Sequence, residues 1–136
     1  MPAAQTIIIL AHDRLIKPMA GLIKKRAATF EGYRLLSTTE TGEKLEQATG
    51  MEVSHVFSAR KGGDMQLCGL ICSNTIRAVF FLRDPLNIDP KEADITPFYR
   101  ACDLNNVPLA TNVVAAAAIT MWLGRKDGDQ EAGKDT

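Results

Sequence analysis

Four side chains in this sequence have types and placements suited to proton transfer. Asp64 follows a glycine pair in SARKGGDMQ, residues 58–66. Asp84 closes the apolar run IRAVFFLRD and precedes Pro85, and Asp94 stands at the head of a helical stretch. His12 directly follows the apolar run TIIILA. A carboxylate whose pKa is tuned by its neighbours is a competent base for a proton beside a carbonyl. An imidazole can shuttle a second proton or contact an oxygen, because its charge is labile near neutral pH. Around these lie groups for holding an anion. Thr38, Thr41 and Ser58 offer hydroxyls, the loops entering helices offer free N–H groups, and Lys17, Arg60, Lys61, Arg83 and Lys91 offer positive charge; together they suit a phosphate or a carboxylate. Plainer roles exist for each. An Asp at a helix start stabilises the dipole by about 0.3–1 kcal/mol, which would account for Asp64 and Asp94 singly. Thr41 reads as a helix cap, Arg60 and Lys61 as solvated loop charges, and His55 as a packing or surface residue. Those roles leave Asp84 unexplained, and they leave the clustering unexplained.

The clustering follows from the elements that position these groups. Thr6–Ala11 is a continuous apolar run, as expected of a strand covered on both faces. Helical spacing follows over residues 16–30, with Pro18 in the first turn, where its missing N–H costs little. Residues 33–38 read as a strand, 41–48 as a short helix stopped by Thr49-Gly50, and 52–57 as a strand. Residues 63–73 read as a helix apolar on most sides and therefore central. Ile76–Leu82 is the clearest strand; residues 95–105 then read as a helix, 107–111 as a short strand, and 113–123 as a last helix. Such alternation implies an α/β fold, a three-layer sandwich with a mostly parallel central sheet of about five strands and helices on both faces. Ligands of such sheets bind outside the carboxyl ends of the strands. That is where His12-Asp13, Thr38 to Thr41, Ser58 to Asp64, Arg83-Asp84 and Thr111-Asn112 fall.

Bulk properties narrow the function further. At 136 residues the chain reads as one domain, residues 1–123, followed by a polar, disordered tail, residues 124–136. Sixteen basic and 16 acidic residues balance to zero formal charge, which argues against bulk binding to nucleic acid or to a membrane surface. No apolar run approaches the roughly 20 residues a membrane span needs, and no signal peptide is evident, so a cytoplasmic protein is expected. Cys68, Cys72 and Cys102 read as reduced, buried thiols, and no metal site is indicated.

These residues carry a family resemblance. AHD at 11–13, ATGMEV at 48–53, GGDMQ at 62–66, FFLRDPLN at 80–87 and NVPLATNVVAA at 106–116 resemble, in order and spacing, the pattern of the methylglyoxal synthase family. The resemblance covers roughly residues 7–118. It implies an α/β fold assembled as a homohexamer. It implies conversion of dihydroxyacetone phosphate to methylglyoxal and inorganic phosphate without metal or cofactor. On that resemblance Asp64 is the base, abstracting a proton beside the carbonyl to give an enediolate, after which phosphate is eliminated. Asp84 and Asp94 match further active-site acids, and His12 matches a histidine contacting substrate oxygens. Thr38, Thr41, Ser58 and Lys17 fall in phosphate-binding segments, and Arg100 matches an arginine of the subunit contacts. The glycines before Asp64 are expected to let substrate approach the backbone.

The sequence also departs from the family pattern. The phosphate loop of the family reads TGTTG; here it reads TTETG, with Glu40 for a threonine and Thr39 for a glycine. Ala59, Arg60 and Lys61 replace a Gly-Pro-hydrophobic segment, and Lys91 stands where a histidine is expected. Lys17 lies one position beyond the usual lysine, and a C-terminal extension of typical members is missing. Two other readings follow: a non-catalytic effector-binding module of the same fold, as found at the end of carbamoyl phosphate synthetase, or a lyase acting on another phosphorylated carbonyl compound.

Overall fold

In the computed structural model, which describes residues 5–87, 89–90 and 92–128, the apolar runs become five parallel strands in one sheet. They are β1 (Thr6–Ala11), β2 (Arg34–Ser37), β3 (Ser54–His55), β4 (Ile76–Leu82) and β5 (Leu109–Ala110), in the order β3-β2-β1-β4-β5. β1 and β4 form the centre. Their register pairs Ile9 with Phe80 and Leu10 with Phe81, and every residue of β1 is buried. A parallel strand covered on both faces has no polar side to show, so TIIILA lacks alternation.

The two faces divide the strand residues by parity. Ile7, Ile9, Leu35, Ala78, Phe80 and Leu82 pack with Met19, Ile23, Phe30, Leu45, Ala116 and Leu123. These belong to α1 (Ile16–Lys25), α2 (Ala27–Glu31), α3 (Thr39–Thr49) and α6 (Val113–Gly128). Ile8, Leu10, Leu36, Val79 and Phe81 pack with Leu67, Ile71, Phe98 and Cys102 of α4 (Gly63–Ile71) and α5 (Thr96–Asn105). This is a three-layer α/β sandwich. The chain winds outward through β1, β2 and β3, then returns to the other side of β1 through β4 and β5. With every crossover right-handed, that reversal moves the helices from one face to the other.

Several elements differ from their sequence reading. The helix expected over 16–30 breaks at Arg26, whose φ −117° and ψ 37° lie outside the helical region. α3 starts at Thr39, two residues earlier than expected, so Glu40 falls in its first turn. α4 is a surface layer rather than a central helix: Leu67 and Ile71 are buried but Met65 is 73% exposed. α6 runs on past Leu123 to Gly128, so the boundary set at 123 falls inside a helix; the rest of the expected tail, and Lys91, lie outside the described residues. Of the three free thiols only Cys102 is buried, whereas Cys68 is half-buried and Cys72 exposed. Burial pushes the Cys68 thiol up to about 11 and the Cys102 thiol up to about 12. Among the described residues, no helix is long and apolar enough to cross a membrane.

A candidate active site at the carboxyl edge of the sheet

The winding reverses beside β1, and a crevice lies there outside the carboxyl ends of the strands. It is a cavity of about 310 Å³. Ala11, His12 and Asp13 line it from the end of β1, and Thr38, Glu40, Thr41 and Lys44 from the start of α3. Ala59 and Arg60 line it from the turn after β3, and Asp89, Glu92 and Ala93 from the segment after β4. Among the described residues no group of three His, Cys, Asp or Glu side chains is placed to hold a metal ion.

His12 is fixed by a bond that spans the sheet edge. The backbone N–H of Asp84 donates to His12 Nδ1 at 2.9 Å, and His12's own N–H donates to the Leu82 carbonyl, also at 2.9 Å. An Nδ1 that accepts leaves the neutral ring's proton on Nε2. The ring packs edge-on against Phe81, with centroids 5.6 Å apart. It therefore lines the cavity as an oriented hydrogen-bond donor. The Asp84 side chain is only 9% exposed. Its Oδ1 accepts from the Leu86 N–H, while Oδ2 lies 3.6 Å from Arg14 Nη1 and makes no hydrogen bond. A buried carboxylate oxygen that faces a largely exposed guanidinium without a hydrogen bond is an expensive arrangement.

The glycine pair before Asp64 has a local cause. Gly62 takes φ +86° and closes the turn Ala59–Lys61, with its N–H donating to the Ala59 carbonyl. Gly63 donates to the Ser58 carbonyl at 2.9 Å. A Cβ on Gly63 would sit 1.8 Å from the Phe57 carbonyl oxygen. The close approach at Gly63 is thus made by the chain's own backbone, and Gly62 is called for by its positive φ; for Gly63 the expectation that the pair admits substrate gives way to this. The turn delivers Asp64 into the first turn of α4, half-buried.

Of the hydroxyls read in the sequence as anion ligands, those of Thr41 and Ser58 are bonded to the protein's own oxygens. The Thr39 hydroxyl donates to the Val56 carbonyl at 2.8 Å and that of Thr41 to the Ala11 carbonyl at 3.4 Å. These bonds pin the start of α3 to β1 and to the β3 loop. Thr38 is the N-cap residue of α3, buried, with no side-chain capping bond. The Ser58 hydroxyl donates to Glu40 Oε2. That bond, foremost, holds the Glu40 carboxyl below its usual range; desolvation opposes it, and the backbone N–H groups of Glu40 and Ala59 and the Arg60 charge reinforce it. On the opposite rim Lys44 pairs with Asp13, whose N–H donates to Glu92 Oε2 at 3.0 Å.

Of the residues singled out in the sequence, His12, Thr38 and Thr41 line the cavity, and Ser58 reaches it through Glu40. Asp64, Asp84, Asp94 and Lys17 are not among its lining residues. Asp84 is tied to the site through His12. Asp94 Oδ1 accepts from the Thr96 N–H and hydroxyl, each at 3.2 Å, which caps the start of α5. Lys17 is exposed on α1, Arg100 is exposed on α5, and His55 is exposed at the sheet edge. Lys44, Asp89 and Glu92 line the cavity although sequence reasoning did not single them out. Lys44 carried a weak signal, one turn beyond Glu40. The Asp13–Glu92 bond links residues 79 apart and leaves no local pattern.

Residues 20–111 match the family described as the MGS-like domain. The chain is 36% identical over 126 residues to a methylglyoxal synthase of Moorella thermoacetica, covering 93% of this chain and 98% of that protein. It is 39% identical over 122 residues to an uncharacterized Synechocystis protein, of which it spans 28%. A crystal structure of methylglyoxal synthase from Elizabethkingia anophelis superimposes with a TM-score of 0.81 at 32% identity, over 88% of this chain and 79% of that one.

Proposed function

The chain belongs to the MGS-like family, and from that premise we propose that it is a methylglyoxal synthase, a carbon–oxygen lyase that converts dihydroxyacetone phosphate to methylglyoxal and phosphate. The observation that carries the reading is the convergence at one sheet edge of an oriented imidazole, the α3 start and the Ser58 turn, around a cavity sized for a three-carbon phosphate. Relatives of matching length named methylglyoxal synthase support it.

The reaction needs a base, an oxygen ligand and an anion cradle. Asp64 takes a proton from the hydroxymethyl carbon, and the bonding pair becomes the enediolate. His12 Nε2–H donates to the developing oxyanion, in the way preorganised donors stabilise charge that grows in a transition state. The hydroxyl on the deprotonated carbon gives up its proton to become the aldehyde, the enediolate double bond shifts, and phosphate is expelled as its C–O bond breaks. The resulting enol takes a proton at its methylene carbon, which becomes the methyl group, and gives up its hydroxyl proton to form the ketone of methylglyoxal. Asp84 and Asp94 serve as the additional acids that return protons, and Thr38, Thr41, Ser58, Lys17 and Lys91 hold the phosphoryl group. Arg100 lies on a contact between subunits of a homohexamer. A cytoplasmic location fits the three free thiols.

One observation favours the non-catalytic alternative: the hydroxyl of the anion loop is bonded to the protein's own carboxylate. Methylglyoxal formation from dihydroxyacetone phosphate separates the two, with Asp64→Asn alongside. Turnover by the native protein that falls at least a thousandfold in Asp64→Asn is expected. A folded native protein without turnover would refute the synthase, and an Asn variant of normal activity would refute the base.

A further inference from the structure

We propose that Glu40 is a built-in selectivity filter: its carboxylate occupies the anion cradle as an internal ligand, so that only a phosphoryl dianion displaces it. The inference rests on the phosphate role given above to Ser58 and the α3 start. Glu40 does not point away from that cradle. It takes the Ser58 hydroxyl as donor and shares the cavity wall with Ala59 and Arg60; the amides of Glu40 and Ala59 and the Arg60 charge add to that bond in holding its carboxyl below the usual range. Hydroxyl, backbone amide and guanidinium groups are the donors an oxyanion would use. All of Glu40, Ala59 and Arg60 line the one cavity.

The selectivity follows from what each competitor gains. A free carboxylate brings the same charge and the same two oxygens as Glu40. It also gives up translational freedom that a tethered side chain does not. It therefore cannot displace Glu40. A phosphoryl group brings close to two charges and three strong acceptor oxygens, so it makes bonds that Glu40 cannot match and draws more from Arg60. Glu40 is exposed in the first turn of α3, so it can swing to solvent when displaced. The cost appears as weaker phosphate binding, and the gain as exclusion of carboxylate metabolites from a site rich in anion donors.

Calorimetric titration with inorganic phosphate and with glycolate, at fixed ionic strength, tests this on the native chain and on Glu40→Ala. Alanine suits an exposed helical position, and circular dichroism confirms the fold. Phosphate should bind the variant at least tenfold more tightly than the native chain. Glycolate should bind the variant measurably and the native chain not at all. Adding Ser58→Ala to Glu40→Ala should reverse most of the phosphate gain, which locates it in the cradle. Phosphate affinity that is unchanged by Glu40→Ala overturns the filter, as does native binding of glycolate on a par with phosphate. Methylglyoxal production by native protein alongside an unchanged phosphate affinity would sink the filter alone. Tightened phosphate binding without turnover would sink the synthase alone, and binding of phosphate to neither protein would sink the filter together with the cradle it occupies.

Discussion

Gly63→Ala should be the most damaging single-methyl change in the turn that presents Asp64. The added Cβ would meet the Phe57 carbonyl oxygen at 1.8 Å, the Phe57 carbonyl carbon at 2.7 Å and the Ser58 carbonyl oxygen at 3.0 Å. Ordinary carbon–oxygen contacts lie near 3.3–3.6 Å, so the backbone must open by about 1.5 Å. No flexible side chain can yield instead, because all three atoms are main chain. Overpacking that moves backbone costs about 1–3 kcal/mol. The Gly63 N–H to Ser58 carbonyl bond at 2.9 Å goes with it, for about 1 kcal/mol more. A loss of about 2–4 kcal/mol in a domain of this size lowers Tm by roughly 6–15 °C.

Gly62→Ala is the control. Its φ of +86° disfavours a side chain, but a Cβ there meets nothing within 4 Å. The left-handed conformation costs about 1–2 kcal/mol, and reduced freedom of the unfolded chain returns about 0.4–1 kcal/mol. Urea unfolding of both variants should put the Gly63→Ala midpoint well below that of Gly62→Ala. With Asp64 as the proposed base, turnover should separate them further, since displacing a catalytic group by about 1 Å costs on the order of a hundredfold. Coincident midpoints and equal turnover would refute the account of this turn.

Three further outcomes are expected. Ser37→Ala removes a fully buried hydroxyl that has no hydrogen-bond partner among the described residues, and should raise the urea midpoint by an amount worth about 1 kcal/mol; a lower midpoint would show an unrecognised partner. His12→Asn keeps an acceptor for the Asp84 N–H but loses the Nε2 donor, so the Tm should stay near native while turnover falls by about 10²–10⁴; a large fall in Tm would make His12 a structural residue. The depressed Glu40 pKa means its stabilisation is complete above the unfolded value of 4.5 and is lost as pH falls through the folded one. The Tm gap between native protein and Glu40→Gln should therefore shrink as pH drops below 4.5, and parallel curves would disprove the link.

The strands were legible because burial on both faces leaves an apolar run with turn residues at each end. Ile76–Leu82 and Thr6–Ala11 match their sequence bounds for that reason. The helices were less so. Arg26 breaks α1 from α2 without glycine or proline, through a backbone geometry no residue type announces. α4 looked central because its composition is apolar, yet composition does not say which apolar residues meet the sheet; Leu67 and Ile71 do, and Met65 does not. In the site, residue types at strand ends were readable and their partners were not. Nothing in the sequence joins Asp84's amide to His12, because that bond depends on β1 and β4 lying side by side in register.

On the proposed role of His12, that bond lets the fold act on the chemistry from outside the cavity. Asp84 does not line the cavity, and its carboxylate meets the Leu86 N–H and the Arg14 guanidinium. Its backbone nevertheless sets which nitrogen of His12 carries the proton. The main chain can do this only where β4 ends level with β1, and the register pairing Ala11 with Leu82 provides it. A one-residue slip would reverse the side chains of β4, sending Phe81 to the face of Phe80 and withdrawing the edge-on contact that steadies the imidazole. The alternation that builds two cores thus also orients the donor at their common edge. Core substitutions in β4 that keep its volume but loosen its register should therefore lower turnover before they lower stability.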